Sequence, residues 1–326
     1  MLSAGAPNFP LRFSLNSCRD LSITIGYPLK AIEYFGNSKD SNVKELRLKQ
    51  IKDGRIKVRK VYNPSPQYKK ILRAINKKLQ SRIDFPKGVL GGVIGKSISD
   101  MAKVHCNQEA VLSIDLKDFF PSITSGRVIK LFRLSGCSPL VAGLLTDLVT
   151  LNGSLPQGFP TSPMIANLIA FALDVQHLEQ CDKNNINRTR WIDDIVFSGR
   201  TRDLVINTNI LIGAIKPHGF QLNNKKTAYK VRSNHPVITG LDVRGKAPNV
   251  PIIFIDRIRE ILIECKNSGV EVVQAAYESG SFGKKKDLKS SLFGRIQYIA
   301  KYNMQSGEEL MDIYNSIDWE LRETPY

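Results

Sequence analysis

In Arg190-Trp-Ile-Asp-Asp-Ile-Val-Phe-Ser198 two adjacent carboxylates interrupt a run of strand-forming residues. The apolar residues on either side predict a strand pair pivoting on Asp193 and Asp194. A similar placement lies upstream, where Ala110-Val-Leu-Ser-Ile114 is a buried-strand pattern running into Asp115. Each feature alone has an ordinary reading: an Asp at a strand end caps or meets solvent, and an Asp-Asp turn is a hairpin tip. Together they demand more. Acidic groups pressed between buried strands repel by several kcal/mol at about 4 Å. They stay ionised only if a cation sits among them. Oxygen-only ligands favour magnesium or manganese, and two such ions can deprotonate an attacking hydroxyl and steady a leaving pyrophosphate.

Charge narrows the partners. Lys and Arg total 47 against 30 acidic residues, a net charge of +17 over 326 residues. Such an excess repels itself in a compact state unless a polyanion neutralises it, which makes nucleic acid the leading partner; the alternative is a merely basic soluble protein. Cys18, Cys106, Cys137, Cys181 and Cys265 lie far apart and form neither a zinc spacing nor a secreted disulfide frame. Pro7, Pro10, Arg12 and Arg19 break every apolar run near the N-terminus, and the stretch Met164–Val175 is too short to span a bilayer. A cytoplasmic protein with no membrane partner is expected.

The chain carries no internal repeat. Residues 1–50 read as a mixed lead-in with helix signal in Val43–Ile51, followed by a basic hairpin over Lys52–Tyr62 around Asp53-Gly54. Gln67–Gln80 has helical periodicity. Gly88–Gly95 reads as a flexible turn and not as a phosphate-binding loop. Helices are expected over Ser125–Ser135, after Ser162 as cap with Pro163 in first position, and over Asp203–Lys216. Short strands follow near Tyr229–Val231 and Pro236–Val243, and beyond Pro251 the pattern is helical. The expected class is α+β, a strand-rich body with a helical appendage. In Leu155-Pro-Gln-Gly-Phe-Pro-Thr-Ser-Pro163, Gly158 permits close backbone approach and Gln157 offers an amide to a base or sugar edge; a rigid connector is the alternative.

The ordered set D-x-x-x-F-F from Asp115, then Leu155–Pro163, then x-x-D-D at Asp193-Asp194, resembles the three palm motifs of reverse transcriptases. Leu222-Asn-Asn-Lys-Lys-Thr227 and Val237-Ile-Thr-Gly-Leu241 resemble the family's fourth and fifth motifs. Lys57-Val-Arg-Lys-Val-Tyr-Asn-Pro-Ser65 resembles its basic fingers strand. The resemblance covers about residues 50–245. The bacterial retron branch is the most similar, through Met101-Ala-Lys-Val-His105 (Met where the element has Asn) and Ile238-Thr-Gly240 (Ile where it has Val). Trp191-Ile192 stands where most relatives have Tyr-Ala.

The resemblance implies a right-hand polymerase fold: a lead-in over 1–50, fingers over 51–109, a palm of antiparallel sheet and helices over 110–248, and an RNA-binding helical thumb over 249–326. It implies that Asp115, Asp193, Asp194 and the backbone carbonyl of Leu116 hold two Mg2+ ions, with Mn2+ as substitute. Arg59, with Arg55 or Lys57, would hold the dNTP triphosphate. Phe120 would exclude a ribose 2′-hydroxyl, Gln157 and Gly158 would line the nascent base pair, and Lys226 would protonate the leaving pyrophosphate. Trp191 would sit beside the primer terminus, with His105, Thr239 and Gly240 also on nucleic acid. Lys284, Lys285, Lys286, Lys289, Arg295 and Lys301, interleaved with Phe282, Phe293, Tyr298 and Tyr302, suit a structured RNA; the alternative is a solvated face over a helical core.

For function, the resemblance implies an RNA-directed DNA polymerase that primes from an internal 2′-hydroxyl of its own structured noncoding RNA. The product would be branched multicopy single-stranded DNA (msDNA), within an antiphage system that includes an effector protein. The chain looks too short for an RNase H domain, so host RNase H is the expected partner for template removal. Alternatives are another bacterial reverse transcriptase, of abortive-infection, defence-associated or diversity-generating type, or a catalytically quiet RNA-binding scaffold.

Overall fold

The computed structural model describes residues 11–52, 55–279 and 287–319. The chain forms two compact units, one ending at Val231 and the other beginning at Arg232. Both mix helix and strand as an α+β chain does, with the larger sheet in the first unit.

The first unit opens with α1 (Cys18–Ile25), α2 (Leu29–Asn37) and the single turn α3 (Lys39–Asn42). The α1 start is a capping box: the Ser17 hydroxyl accepts the Asp20 N–H at 3.1 Å, and Asp20 accepts the Ser17 N–H at 2.9 Å. Two long strands follow, β1 (Val43–Lys52) and β2 (Arg55–Pro64), paired antiparallel from Val43↔Pro64 to Lys52↔Arg55. The hairpin is therefore longer than expected, and the helix signal at Val43–Ile51 is overturned. Leu, Lys, Glu and Gln there favour helix, yet pairing with the β-branched Ile56, Val58 and Val61 overrides that preference.

Next come α4 (Pro66–Gln80), α5 (Ile98–Val104), β3 (Ala110–Asp115), the short α6 (Phe119–Ser122), α7 (Ser125–Leu134) and α8 (Pro139–Val149). Helix α4 buries Tyr68, Ile71, Leu72, Ile75 and Leu79, the stripe expected from its periodicity, and the Tyr68 hydroxyl donates to the Leu148 carbonyl at 2.5 Å. Helix α9 (Ser162–Lys183) is buried along most of its length and packs against α4, α7 and β4 (Asn187–Trp191). Its cap position falls on Thr161, with Ser162 one residue inside and donating its hydroxyl to the Pro156 carbonyl at 2.6 Å. Then come β5 (Asp194–Gly199), α10 (Thr201–Gly213) and β6 (Ala228–Val231).

Strands β4, β5, β3 and β6 form one antiparallel sheet in that order. Leu112, Ile114, Ile195 and Phe197 are buried in it beside Ala170 and Leu173 of α9. Each such large side chain contributes about 1.5–3 kcal/mol on full burial. The segment Gly88–Gly95 also departs from expectation, for it is pinned rather than free. Arg190 donates its N–H to the Gly88 carbonyl at 2.7 Å, and Leu90 donates to the Arg190 carbonyl at 3.0 Å. The segment thus extends the sheet past β4. Only a glycine fits at residue 91, where a Cβ would lie 2.8 Å from the Trp191 Cα.

The second unit holds a two-residue hairpin, β7 (Val237–Ile238) with β8 (Leu241–Asp242), and helices α11 (Ile252–Ser268), α12 (Val270–Ser279), α13 (Leu288–Tyr302) and α14 (Met304–Asn315). Its core joins Ile255, Ile258 and Leu262 of α11 with Leu292, Ile296 and Ile299 of α13 and Leu310 of α14. Among the described residues no helix is long and apolar enough to cross a membrane.

Candidate active site

Antiparallel pairing brings the three carboxylates to one end of the sheet. Asp115 closes β3 directly opposite Asp194, which opens β5, and Asp193 occupies the turn between β4 and β5. The Leu116 N–H donates to the Asp193 carbonyl at 2.9 Å, which ties the turn to the end of β3. The turn itself is strained: Ile192 has φ 57°, a left-handed conformation that costs a β-branched residue about 1–3 kcal/mol.

Asp115 and Asp193 open onto a cleft of about 570 Å³ lined also by Leu116, Asn223, Lys226, Gln157 and, from β2, Val58, Arg59, Lys60 and Tyr62. Lys226 Nζ lies 2.5 Å from Asp115 Oδ2, and Asn223 Nδ2 donates to Asp115 Oδ1 at 2.7 Å. Burial, reinforced by the nearby Asp115, raises Asp193 above the usual carboxylate range, while Lys226 and Arg59 pull it down. Burial and then the charges of Asp193 and Asp115 push Asp194 up to about 6.

This donor set suits a divalent cation. The donors are all oxygen, and two of the carboxyls are driven toward protonation by burial and mutual repulsion, the condition a hard cation relieves. No three His, Cys, Asp or Glu side chains converge ready-made on one point among the described residues; the Lys226 ammonium stands against Asp115. The chemistry of the donors fits magnesium or manganese.

A pH dependence follows. The folded value of Asp194 lies above its ordinary 3.8, so its contribution to stability is fully present below that value and is lost as pH rises through about 6. Asp193 shifts the same way. A bound cation reverses this penalty. Millimolar Mg2+ is therefore expected to raise the melting temperature more at about pH 7.5 than at about pH 5. An equal shift at both pH values, read by differential scanning fluorimetry, would detach the cation from these carboxylates.

The other expected residues fall into distinct places. Arg59, Gln157 and Lys226 line the cleft. Gly158 does not. At φ 109° it packs on the protein's own β2, where a Cβ would lie 2.8 Å from Val61 Cγ1 and against the Tyr62 carbonyl. Phe120 is half-buried against the core beside the cleft, and Phe119 is the phenylalanine that lines it. Trp191 is half-buried at the end of β4. Arg55 and Lys57 are placed on β2 by backbone alone, their side chains lying outside the described residues.

His105 is corrected: it is fully buried, with Nδ1 2.6 Å from Ser198 Oγ and Nε2 2.7 Å from Thr189 Oγ1. Burial pushes it down to about 3. With both ring nitrogens taken and no exposed surface, it joins the end of α5 to β4 and β5 in place of the expected nucleic-acid contact.

In the second unit Thr239 and Gly240 form the β7–β8 turn, at φ 50° and 88°. Lys289 is exposed, and Arg295 lies over the Tyr277 ring at 5.7 Å. Lys284, Lys285 and Lys286 lie outside the described residues.

Sequence reasoning passed over Asn223, although it sits in the quoted Leu222–Thr227 motif, and it passed over Asp174, Arg188 and Arg190. Their signal was present: a lone Asp inside the apolar run of α9, and two Arg two apart on a strand, hence on one face. Asp174 is fully buried and, against the cost of that burial, is held below the usual carboxylate range by Arg190 and Arg188.

A sheet end carrying three acidic groups beside basic cleft walls is the arrangement of a nucleotidyl-transferring enzyme. The sequence profile of the family described as reverse transcriptase (RNA-dependent DNA polymerase) matches residues 50–262, and the chain belongs to that family. Bacterial retron enzymes are among the proteins it is similar to. Retron Se72 reverse transcriptase of Salmonella heidelberg is 27% identical over 310 residues, covering 92% of this chain and 79% of that protein. Retron Ec86 reverse transcriptase of Escherichia coli is 30% identical over 186 residues, covering 57% of this chain and 58% of that protein. Among solved structures, an apo telomerase from Candida tropicalis aligns at a TM-score of 0.45 and 10% identity, over 69% of this chain and 61% of that one.

Proposed function

We propose that this chain is the RNA-directed DNA polymerase of a retron, copying its own structured noncoding RNA into msDNA from an internal 2′-hydroxyl primer. The observation that carries the reading is the register Asp115↔Asp194 with Asp193 in the adjoining turn, where Asp115 and Asp193 face a cleft walled by Arg59 and Lys226. In right-hand terms, 51–109 would be the fingers, 110–248 the palm and 249–326 the thumb, with the basic and aromatic residues of the last segment on RNA.

Asp115, Asp193, Asp194 and the Leu116 carbonyl would hold two divalent ions, Mg2+ or Mn2+. When bound, such ions activate an attacking hydroxyl and offset the charge of a leaving pyrophosphate. Arg59 clamps the dNTP triphosphate from β2, and Gln157 meets the base or sugar edge. Lys226 passes a proton to the departing pyrophosphate, leaving Asp115 Oδ2 as it does so. Phe120 excludes the 2′-hydroxyl of the incoming sugar. The msDNA product, an effector protein and host RNase H complete an antiphage system with this enzyme in the cytoplasm.

The test is to express the gene with its native flanking DNA, purify the protein and extract the bound nucleic acid. The reading expects a short discrete DNA whose mobility shifts after RNase and again after debranching enzyme. A protein that copies a supplied RNA template from a DNA primer but carries no such DNA belongs to another bacterial branch.

A further inference from the structure

Beneath the Asp193–Asp194 turn lies a buried polar network of which the proposed reaction makes no use so far. Arg190 is fully buried, and all three of its side-chain nitrogens are engaged. Nε and Nη2 donate to the two oxygens of Asp174 at 2.7 and 2.5 Å, while Nη1 donates to Asn167 Oδ1 and to the Ile192 carbonyl, both at 2.9 Å. Asn167 in turn donates to the Gly91 carbonyl at 2.8 Å. Arg188, two residues away and also on Asp174, differs. Its Nη2 meets the carboxylate, but its Nε and Nη1 have no partner among the described residues, and none of its bonds reaches the turn.

We propose that Arg190 is a positioning residue: locked by Asp174, it holds the Ile192 carbonyl and so keeps the Asp193–Asp194 turn in its strained shape. The bidentate grip on Asp174 fixes the plane of the guanidinium, so Nη1 is aimed at Ile192 by α9 and not by the turn itself. A residue in the left-handed region persists only where its surroundings over-determine it, and this bond supplies that constraint from the rigid side of the sheet. A lysine at 190 keeps the charge beside Asp174 but, with a single nitrogen, cannot reproduce both contacts. The inference rests on the polymerase reading for what the turn does, though not for how the turn is held.

The experiment compares Arg190→Lys with Arg188→Lys, the same exchange on the same strand and against the same carboxylate. Two quantities are read: kcat and KM for dNTP on an RNA template, and hydrogen–deuterium exchange of the amides at 192–194. Arg190→Lys is expected to lower kcat by about 10- to 100-fold, as loss of a supporting contact to a ligand does. It should leave KM within about threefold, because the dNTP contacts come from other elements, and it should speed exchange at the turn by about tenfold or more. Arg188→Lys should leave kcat and turn exchange near wild type. Equal losses in both variants, or unchanged turn exchange in Arg190→Lys, would overturn the proposal and reduce Arg190 to a packing role. If Arg190→Lys does not fold, Asn167→Ala removes one Nη1 partner with every charge retained; faster turn exchange is again expected, and unchanged exchange again overturns it. A wild-type protein that incorporates no dNTP defeats the polymerase reading, while the exchange comparison still decides the clamp.

Discussion

Replacing Asp193 by Asn is expected to lower dNTP incorporation by about 1000-fold or more while leaving RNA affinity within about threefold. The amide keeps the size and the turn geometry but removes a negative charge from the turn beside Asp115, at the end of the sheet. In the metal-free protein the same exchange relieves repulsion: burial and Asp115 both press Asp193 toward its neutral form. Asp193→Asn should therefore be at least as stable as wild type near pH 7.5, and it should lose the melting shift that Mg2+ confers. Primer extension, filter binding of RNA and thermal melting read the three effects separately. Measurable polymerisation by this variant would remove Asp193 from the metal site, and a parallel loss of stability would reduce it to a folding residue.

The second large effect is expected away from the carboxylates. Gly158 has φ 109° and sits where a Cβ would press on the Val61 side chain and the Tyr62 carbonyl of β2. The contact is reinforced beside it, for the Tyr62 N–H donates to the Gln157 carbonyl at 2.7 Å. Gly158→Ala combines a disfavoured backbone with overpacking and is expected to cost about 2–4 kcal/mol. Because β2 also carries Arg59 into the cleft, whatever fraction folds should show a raised KM for dNTP with a smaller change in kcat. Urea unfolding and steady-state kinetics check the two parts. A cost below about 1 kcal/mol with KM unchanged would mean that the loop relaxes away from β2 without moving Arg59.

The strands that carry the carboxylates were legible because their chemistry is local. Ala110–Ile114 and Ile195–Phe197 are strand-forming runs, and Asp193-Asp194 stands between Trp191-Ile192 and Ile195–Phe197, so the hairpin and its acidic tip follow from pattern. That Asp115 faces Asp194 in register was not legible, since register depends on which strands pair. The misread Val43–Ile51 shows the opposite failure. Its Leu, Lys and Glu favour helix locally, and only pairing with β2 decides otherwise. Gly158 does permit a close approach, but the approaching backbone is Tyr62 of the chain itself, which no spacing reveals. His105 was hidden for a related reason. A histidine in sequence carries no mark of burial, and this one is held by partners tens of residues away, Thr189 and Ser198.

The central claim is that the Asp115, Asp193 and Asp194 end of the sheet performs metal-dependent, RNA-templated DNA synthesis. It is tested most directly by giving the purified wild-type protein an RNA template, an annealed primer and dNTPs, with and without Mg2+. The account predicts a ladder of extension products complementary to the RNA that is abolished by chelation, restored by Mg2+ and supported to a degree by Mn2+. RNA binding with no extension under either cation would contradict it, leaving the Lys226–Asp115 pair as the resting arrangement of a catalytically quiet RNA-binding scaffold.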